Sequence, residues 1–226
     1  MASLLSQKIK DTLHFKIEEY LTFKSEVPPA ERFQNVNVNI LLAALKKLGH
    51  GVYVDTNKLN IVGIRYSNAH SNSFDDLICY FYKTASGDWN FTKNIATTDP
   101  GTYYVGNFEN PHGVAILKPG QYVDSYQLGL HRGKYEALTQ RKEVTVYRDA
   151  NRDKGHDYIN PQSGFFGINI HRATANGTSI LVDKWSAGCQ VFATSSDYQR
   201  FIACCKSHKE QYGNIFTYTL INKEDL

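Results

Sequence analysis

The sequence has no long hydrophobic run, since no stretch approaches the roughly 20 apolar residues that a membrane-spanning helix needs. Its first residues, MASLLSQKIKDTLHF, contain no basic segment followed by an apolar one, so we expect no secretory signal. Charge of one sign is not in large excess either, because the formal net charge is only +3. A charge this small argues against nucleic acid as the partner.

Cysteine is scarce, and the cysteines that occur show no spacing typical of a zinc site. They are Cys79, Cys189, Cys204 and Cys205. The last two are adjacent and therefore poorly placed to bridge to each other. This pattern predicts a reducing compartment in which at most one cysteine has a special chemical role.

Aromatic residues are abundant, with 15 Tyr and 12 Phe, and short apolar runs between turn residues predict many short strands. The chain of 226 residues is long enough for one substantial domain. We therefore expect a mainly β (α+β) fold, a sandwich or barrel with peripheral helices. The predicted strands cover 59–66, 76–82, 89–94, 103–105, 114–117, 122–128, 144–148 and 215–221.

Helical periodicity is found in three segments. Apolar residues at every fourth position predict a helix over 4–24. A second helix is predicted over 37–48, with Gly49 as its stop, and a third over 196–212. These patterns divide the chain into a helical N-terminal segment, 1–58, and a second domain, 59–226. We favour helices that cap the sheet domain over a separate helical appendage.

The residues most indicative of chemistry are His171, at the end of an apolar run, and Cys189, in the turn Ser186-Ala187-Gly188-Cys189. A histidine and a cysteine on neighbouring strand ends can form a thiolate–imidazolium pair, the nucleophile of acyl-transfer enzymes. Gly188 permits an unusual backbone angle, and N–H groups of the turn could face a developing oxyanion. Each residue alone is more often part of a core, but the two together favour catalysis.

The pattern H-x14-S-A-G-C resembles the signature of the L,D-transpeptidase family, in which a histidine precedes a Ser/Thr-His-Gly-Cys turn. Upstream, the segment 98–104, TDPGTYY, resembles that family's Thr-Pro-x-Gly-x-Phe segment. The resemblance covers roughly 61–192, with an insertion at about 106–163. It implies an L,D-transpeptidase-like domain over 59–226 in which Cys189 forms an acyl-enzyme on peptidoglycan stem peptides. It also implies that His171 is the base and acid, that Ser186 and Gly188 shape the turn, and that catalysis requires no cofactor.

The chain departs from the family pattern at two positions. Ala187 stands where the family has its second motif histidine, and Val191 where it usually has Arg or Asn. A contact to a substrate carboxylate must therefore come from elsewhere. The substrate-binding candidates are Arg172, His131, Arg132 and Trp185. The alternatives are a solvated loop for His131 and Arg132, and core packing for Trp185.

The insertion carries a separate pattern of oxygen-bearing side chains at Asp149, Asn151, Asp153 and Asp157. Calcium loops use this alternation because every second side chain turns toward one centre. The pattern resembles an EF-hand loop, but Gly155 comes one position late and no acidic residue closes the loop. The alternative is a polar turn built on Asx hydrogen bonds. If Ca²⁺ binds here, we expect a structural ion.

Several functions remain open from the sequence. We weakly favour a peptidoglycan peptidase similar to phage endolysins, made in the cytoplasm and released by a holin, by lysis or by injection. A transpeptidase that forms cross-links is the close alternative. A non-catalytic cell-wall-binding or virion structural module is another, since LLAALKKLGHGVY resembles peptidoglycan-binding repeats, although His171 and Cys189 argue against it. A cytosolic cysteine peptidase unrelated to the wall is the last.

Overall fold

The structure is a computed structural model that describes residues 33–66, 72–108, 110–153 and 155–226. The helix predicted over 4–24 lies outside these residues. The chain separates into two compact units, Met1–Asn35 and Val36–Leu226. The helix predicted over 37–48 is present as α1 (Val38–Lys47), and it belongs to the second unit. The contacts thus divide the chain earlier than the expected boundary at residue 58.

The larger unit is built around a closed barrel of eight strands, in the spatial order β1-β11-β5-β6-β9-β10-β3-β2. Its strands are β1 (Asn60–Arg65), β2 (Asp76–Lys83), β3 (Trp89–Thr97), β5 (Gly120–His131), β6 (Tyr135–Gln140), β9 (Ile170–Arg172), β10 (Gln190–Phe192) and β11 (Phe216–Asn222). The β1–β11 and β9–β10 pairs are parallel, and the other neighbours are antiparallel.

A second sheet has three strands in the order β4-β7-β8, namely β4 (Val114–Leu117), β7 (Val144–Asp149) and β8 (Gln162–Gly164). The remaining elements are two helices, α2 (Thr102–Gly106) and α3 (Ser195–Tyr212), and a 3₁₀ turn, Lys223–Asp225. The described residues therefore form a mainly β fold with few helices, which confirms the predicted class. The segment 106–163, which the sequence predicted to be an insertion, contains the strands β5 and β6 of the closed barrel.

The barrel core combines strand residues of one face with the apolar face of α3. Leu138, Ile170 and Phe192 point into it, and Phe201 and Cys205 of α3 pack against the same cluster. Each fully buried side chain of this size stabilises the fold by about 1.5–3 kcal/mol. Side chains alternate along a strand. His171, which follows Ile170 in β9, and Val191, which precedes Phe192 in β10, therefore face away from this core.

One strand prediction was wrong. Residues 103–105 were expected to be extended, but they lie in the short helix α2. Aromatic and β-branched residues favour strands only weakly, and here Gly101 O accepts from Tyr104 N and Val105 N, which closes a helical turn instead. Among the described residues, no helix has the length and apolar character needed to cross a membrane.

Candidate active site

The predicted catalytic residues come from the parallel pair β9–β10. His171 is the central residue of β9 and is paired with Val191 of β10. Cys189 lies two residues before Val191 and packs against a small hydrophobic cluster to which Val191 belongs. The strand register therefore places His171, Val191 and Cys189 on one face of the sheet, opposite the barrel core.

The protonated nitrogen of His171 can be assigned from its neighbours. Its Nδ1 lies 2.8 Å from Arg172 O, and a carbonyl oxygen can only accept a hydrogen bond. The Nδ1 therefore carries the proton, and in the neutral ring Nε2 keeps the lone pair. The Tyr135 hydroxyl lies 3.1 Å from the same Nδ1 and donates to Arg172 O at 3.3 Å. Buried Nε2 has no hydrogen-bond partner among the described residues.

The Cys189 sulfur rests against the backbone that precedes β9. Its Sγ accepts from Asn169 N and donates to Gly167 O, both at 3.5 Å. No hydrogen bond joins Sγ to either ring nitrogen of His171 in the described part of the chain. Cys189 as a residue is partly exposed, whereas burial is the main influence on the pKa of its thiol. The two groups share a face, but the resting thiol is engaged elsewhere.

Burial favours the neutral form of both groups. Burial, with smaller contributions from the nearby His131 and Arg132, lowers the pKa of His171 to about 3, although the hydrogen bond to Arg172 O acts in the opposite direction. Burial also raises the pKa of the Cys189 thiol, which the hydrogen bond from Asn169 and the charge of Arg132 partly offset. The resting pair is thus a thiol and an imidazole, rather than the thiolate–imidazolium pair suggested by the sequence.

The turn before Cys189 is held by its serine and its glycine. Ser186 Oγ donates to Cys189 O at 2.8 Å and accepts from Gly188 N at 3.1 Å, which closes the turn internally. Gly188 has φ +118°, and a Cβ there would lie 2.2 Å from Ala115 O of β4. Only glycine fits this position, because both the backbone angle and the space exclude a side chain.

The upstream segment 98–104 meets this turn in space. Gly101 N donates to Ser186 O at 2.9 Å, and a Cβ on Gly101 would lie 2.2 Å from Asp183 O. Thr98 O also accepts from Nε2 of Gln190, the residue that follows Cys189, at 3.3 Å. The structure therefore brings together the two segments on which the family resemblance depends.

His131 stacks on His171, with ring centroids 4.0 Å apart and planes inclined by 28°. It is itself buried, and its Nδ1 lies 3.2 Å from the side-chain amide of Asn169. Burial and the charge of Arg132 lower the pKa of His131. The neutral ring of His131 thus covers the imidazole of His171, so the alternative of a solvated loop does not hold for this residue.

The other substrate-binding candidates differ in position. Arg132 lies in the β5–β6 turn with φ +50°, and a hydrogen bond with Tyr104 raises its pKa. Its positive charge also lowers the pKa of the Cys189 thiol. Arg172 instead covers the ring of Tyr135, with its guanidinium carbon 4.3 Å from the ring centroid. Trp185 is 43% exposed, so it is not a core residue.

Sequence reasoning missed three residues of the site: Tyr135, Asn169 and Gln190. Tyr135 carries no local signal, because only the pairing of His131 with Tyr135 in the β5–β6 hairpin brings it to His171. Asn169 could have been found, since it stands two residues before His171 on the same strand face. Gln190 follows Cys189 directly and is fully buried, which its polarity alone would not suggest.

The Asp149–Asp157 loop is closed by hydrogen bonds between its own side chains. Asn151 turns its Nδ2 donors toward Asp153 Oδ2 and Asp157 Oδ2, both at 2.9 Å. Backbone N–H groups of Asp153 and Gly155 bind Asn151 Oδ1 and Asp153 Oδ1. Within the described residues no group of three or more ligating side chains is arranged for a metal. Calcium at this loop stays a prediction.

Comparisons of the chain with family models, with curated proteins and with solved structures gave no match.

Proposed function

We propose that this chain is a cysteine acyl-transfer enzyme with Cys189 as nucleophile and His171 as base and acid. The observation that carries the proposal is the parallel β9–β10 register, which puts both side chains on one face. Arg172 O holds Nδ1 of His171 and leaves Nε2 as the free base. A buried base with no partner is costly to maintain, which favours a use for it.

The reaction then has two halves. In the first, Nε2 of His171 takes the thiol proton while Sγ of Cys189 attacks the carbonyl carbon of an amide. The carbonyl π pair moves onto oxygen, and it returns as the C–N bond breaks. The protonated Nε2 gives its proton to the leaving amine, and a thioester remains on Cys189. In the second half, His171 removes a proton from the acceptor as the acceptor attacks the thioester; the C–S electron pair then leaves on Sγ of Cys189, which takes that proton back from Nε2 and becomes the thiol again.

The proposal requires the sulfur to leave its backbone contacts with Gly167 and Asn169 and turn toward Nε2. Catalytic hydrogen bonds are commonly loose without substrate, so the resting arrangement is compatible with this step. Neutral ground states on both groups mean that proton transfer accompanies the attack. The Arg132 guanidinium, whose charge lowers the pKa of the Cys189 thiol, supplies a positive charge for a substrate carboxylate.

The substrate class rests on the family resemblance, which points to peptidoglycan stem peptides. We propose water as the acceptor, which makes the enzyme a peptidase. An amine acceptor on a second stem peptide would make it a transpeptidase through the same thioester. Incubation with purified sacculi and mass analysis of the fragments separates the two, because hydrolysis gives shorter stems and transpeptidation gives new cross-links.

Labelling with a carbapenem-type electrophile tests the chemistry directly. We expect one acyl group on Cys189, lost in Cys189→Ser and slowed by at least ~100-fold in His171→Gln. Cys204→Ser is the matched control, since Cys204 is also a partly exposed free thiol. Equal labelling of wild type and Cys189→Ser contradicts the proposal. Intact sacculi with no new links exclude both wall-enzyme activities and leave the binding module and a cysteine peptidase unrelated to the wall.

A further inference from the structure

Gln190 directly follows Cys189 and is fully buried. Both the nitrogen and the oxygen of its side-chain amide form hydrogen bonds. Its Nε2 lies 3.3 Å from Thr98 O and 3.2 Å from Gly188 O. Its Oε1 accepts from the Tyr218 hydroxyl at 2.8 Å. A buried amide with this many partners is held in one orientation.

The chemistry of these partners fixes which end of the amide faces which way. The Thr98 and Gly188 carbonyl oxygens can only accept, so the nitrogen of Gln190 must face them. Tyr218 then donates to the oxygen. Thr98 O is held a second time by Nη2 of the buried Arg65 at 2.9 Å, so the support behind Gln190 is itself anchored.

The orientation of Gly188 O determines the direction of the next N–H group. The peptide bond between Gly188 and Cys189 is trans, since the described chain contains no cis peptide, and a trans peptide points its C=O and N–H in opposite directions. The carbonyl is turned inward to Gln190. The Cys189 N–H is therefore turned away from that amide, and it has no hydrogen-bond partner among the described residues.

We propose that Gln190 is a positioning residue that fixes the Gly188–Cys189 peptide so that the Cys189 N–H stabilises the oxyanion during acyl transfer. This inference rests on the proposed function. A preorganised N–H beside the nucleophile costs nothing to orient as negative charge develops on the carbonyl oxygen. Gln190 does not touch the substrate; it acts only through the peptide that it holds.

Two probes separate this role from a merely structural one. Iodoacetamide alkylates Cys189 without forming an oxyanion, whereas a p-nitrophenyl ester acylates it through a tetrahedral oxyanion. In Gln190→Leu we expect acylation to slow by roughly 10- to 100-fold, because loss of one oxyanion donor costs ~100- to 1,000-fold and the peptide here is only loosened. Alkylation should change less than about twofold, since the thiol and His171 are untouched.

Tyr218→Phe provides a second variant, because it frees the amide of Gln190 while keeping the core filled. We expect the acylation rate of Tyr218→Phe to fall as in Gln190→Leu, but by a smaller factor. Gln199→Leu is the matched control, since Gln199 is exposed on α3, and it should leave both rates unchanged. Circular dichroism melting shows which variants are folded at the assay temperature, and Tyr218→Phe decides the matter if Gln190→Leu is unfolded.

Equal losses in both reactions overturn the inference, because they show general damage to the nucleophile. Unchanged acylation in folded Gln190→Leu and Tyr218→Phe overturns it too, while acylation of wild-type Cys189 leaves the proposed function intact. No acylation of wild type by either the ester or the carbapenem is instead the failure of the proposed function itself.

Discussion

The turn Ser186–Gln190 and the loop Asp149–Asp157 are both rich in hydrogen bonds, but the sequence separation of the partners differs. In the loop the acidic side chains bond residues at most eight positions away. The turn is held across 92 positions by Thr98 and across 28 by Tyr218. Local bonds, including those of Ser186 within the turn, form without the rest of the fold, whereas the bonds to Thr98 and Tyr218 form only when the barrel is complete. The side-chain amide of Gln190, which holds Gly188 O, is thus fixed by long-range contacts.

Gly188→Ala should break the turn most severely. The new Cβ meets Ala115 O at 2.2 Å in a backbone with φ +118°, and neither can relax cheaply. We expect the free energy of unfolding to fall by more than about 3 kcal/mol, and acylation of Cys189 to slow about 100-fold. Urea unfolding and labelling rates measure the two effects. Gly106→Ala is the control, because its Cβ meets nothing within 4 Å; equal behaviour of the two variants contradicts the prediction.

The buried, neutral His171 predicts a loss of stability in acid. Its pKa is about 3 in the folded protein, below the value near 6.5 of an exposed histidine. The unfolded chain therefore binds the proton first, and stability is lost as the pH falls from about 6.5 toward about 3. Between pH 6.5 and pH 4 the contribution is on the order of 3 kcal/mol.

His171→Gln removes this titration and should flatten the pH dependence of the unfolding free energy in that range. His112→Gln serves as the control, since His112 is exposed. Parallel pH profiles for wild type and His171→Gln would show that the imidazole is not held neutral by burial.

Ser186→Ala should have an intermediate effect on the turn. It removes the bonds to Gly188 N and Cys189 O, leaving two backbone groups unpaired in a buried place. The expected cost is about 1–3 kcal/mol in chemical unfolding. Ser207→Ala on the exposed face of α3 is the comparison and should be neutral. If Ser186→Ala lowers the free energy of unfolding no more than Ser207→Ala does, the hydroxyl of Ser186 does not hold the turn.

Calcium gives the smallest expected effect, because the loop already satisfies its own side chains. If the ion binds, the melting temperature rises in millimolar Ca²⁺ and falls with chelator, as for any ligand of the native state. The response should disappear in Asp153→Asn with Asp157→Asn, and persist in Asp88→Asn, which alters an exposed carboxylate of the β2–β3 turn that accepts from the Ser86 hydroxyl. Identical melting temperatures with Ca²⁺ and with chelator exclude the ion.

Features with a short-range cause were predicted from the sequence. The helices α1 and α3 and most strands follow from periodicity and turn residues, and the spacing of His171 and Cys189 placed both beside one strand pair. Features that depend on register were not predicted. Strand β6 was missed, and with it Tyr135, because its sequence alternates too little to stand out. The sequence also could not show that burial favours the neutral forms of His171 and Cys189, since burial is a property of the assembled barrel.

The position of β11 has a consequence for biosynthesis. This strand lies between β1 and β5, so its loss opens the barrel in the middle rather than trimming an edge. It also carries Tyr218, the residue that steadies Gln190. A nascent chain whose residues beyond 214 are still inside the ribosome has its cysteine but lacks the scaffold that orients it. The barrel that fixes the position of Cys189 can therefore close only after translation has passed β11.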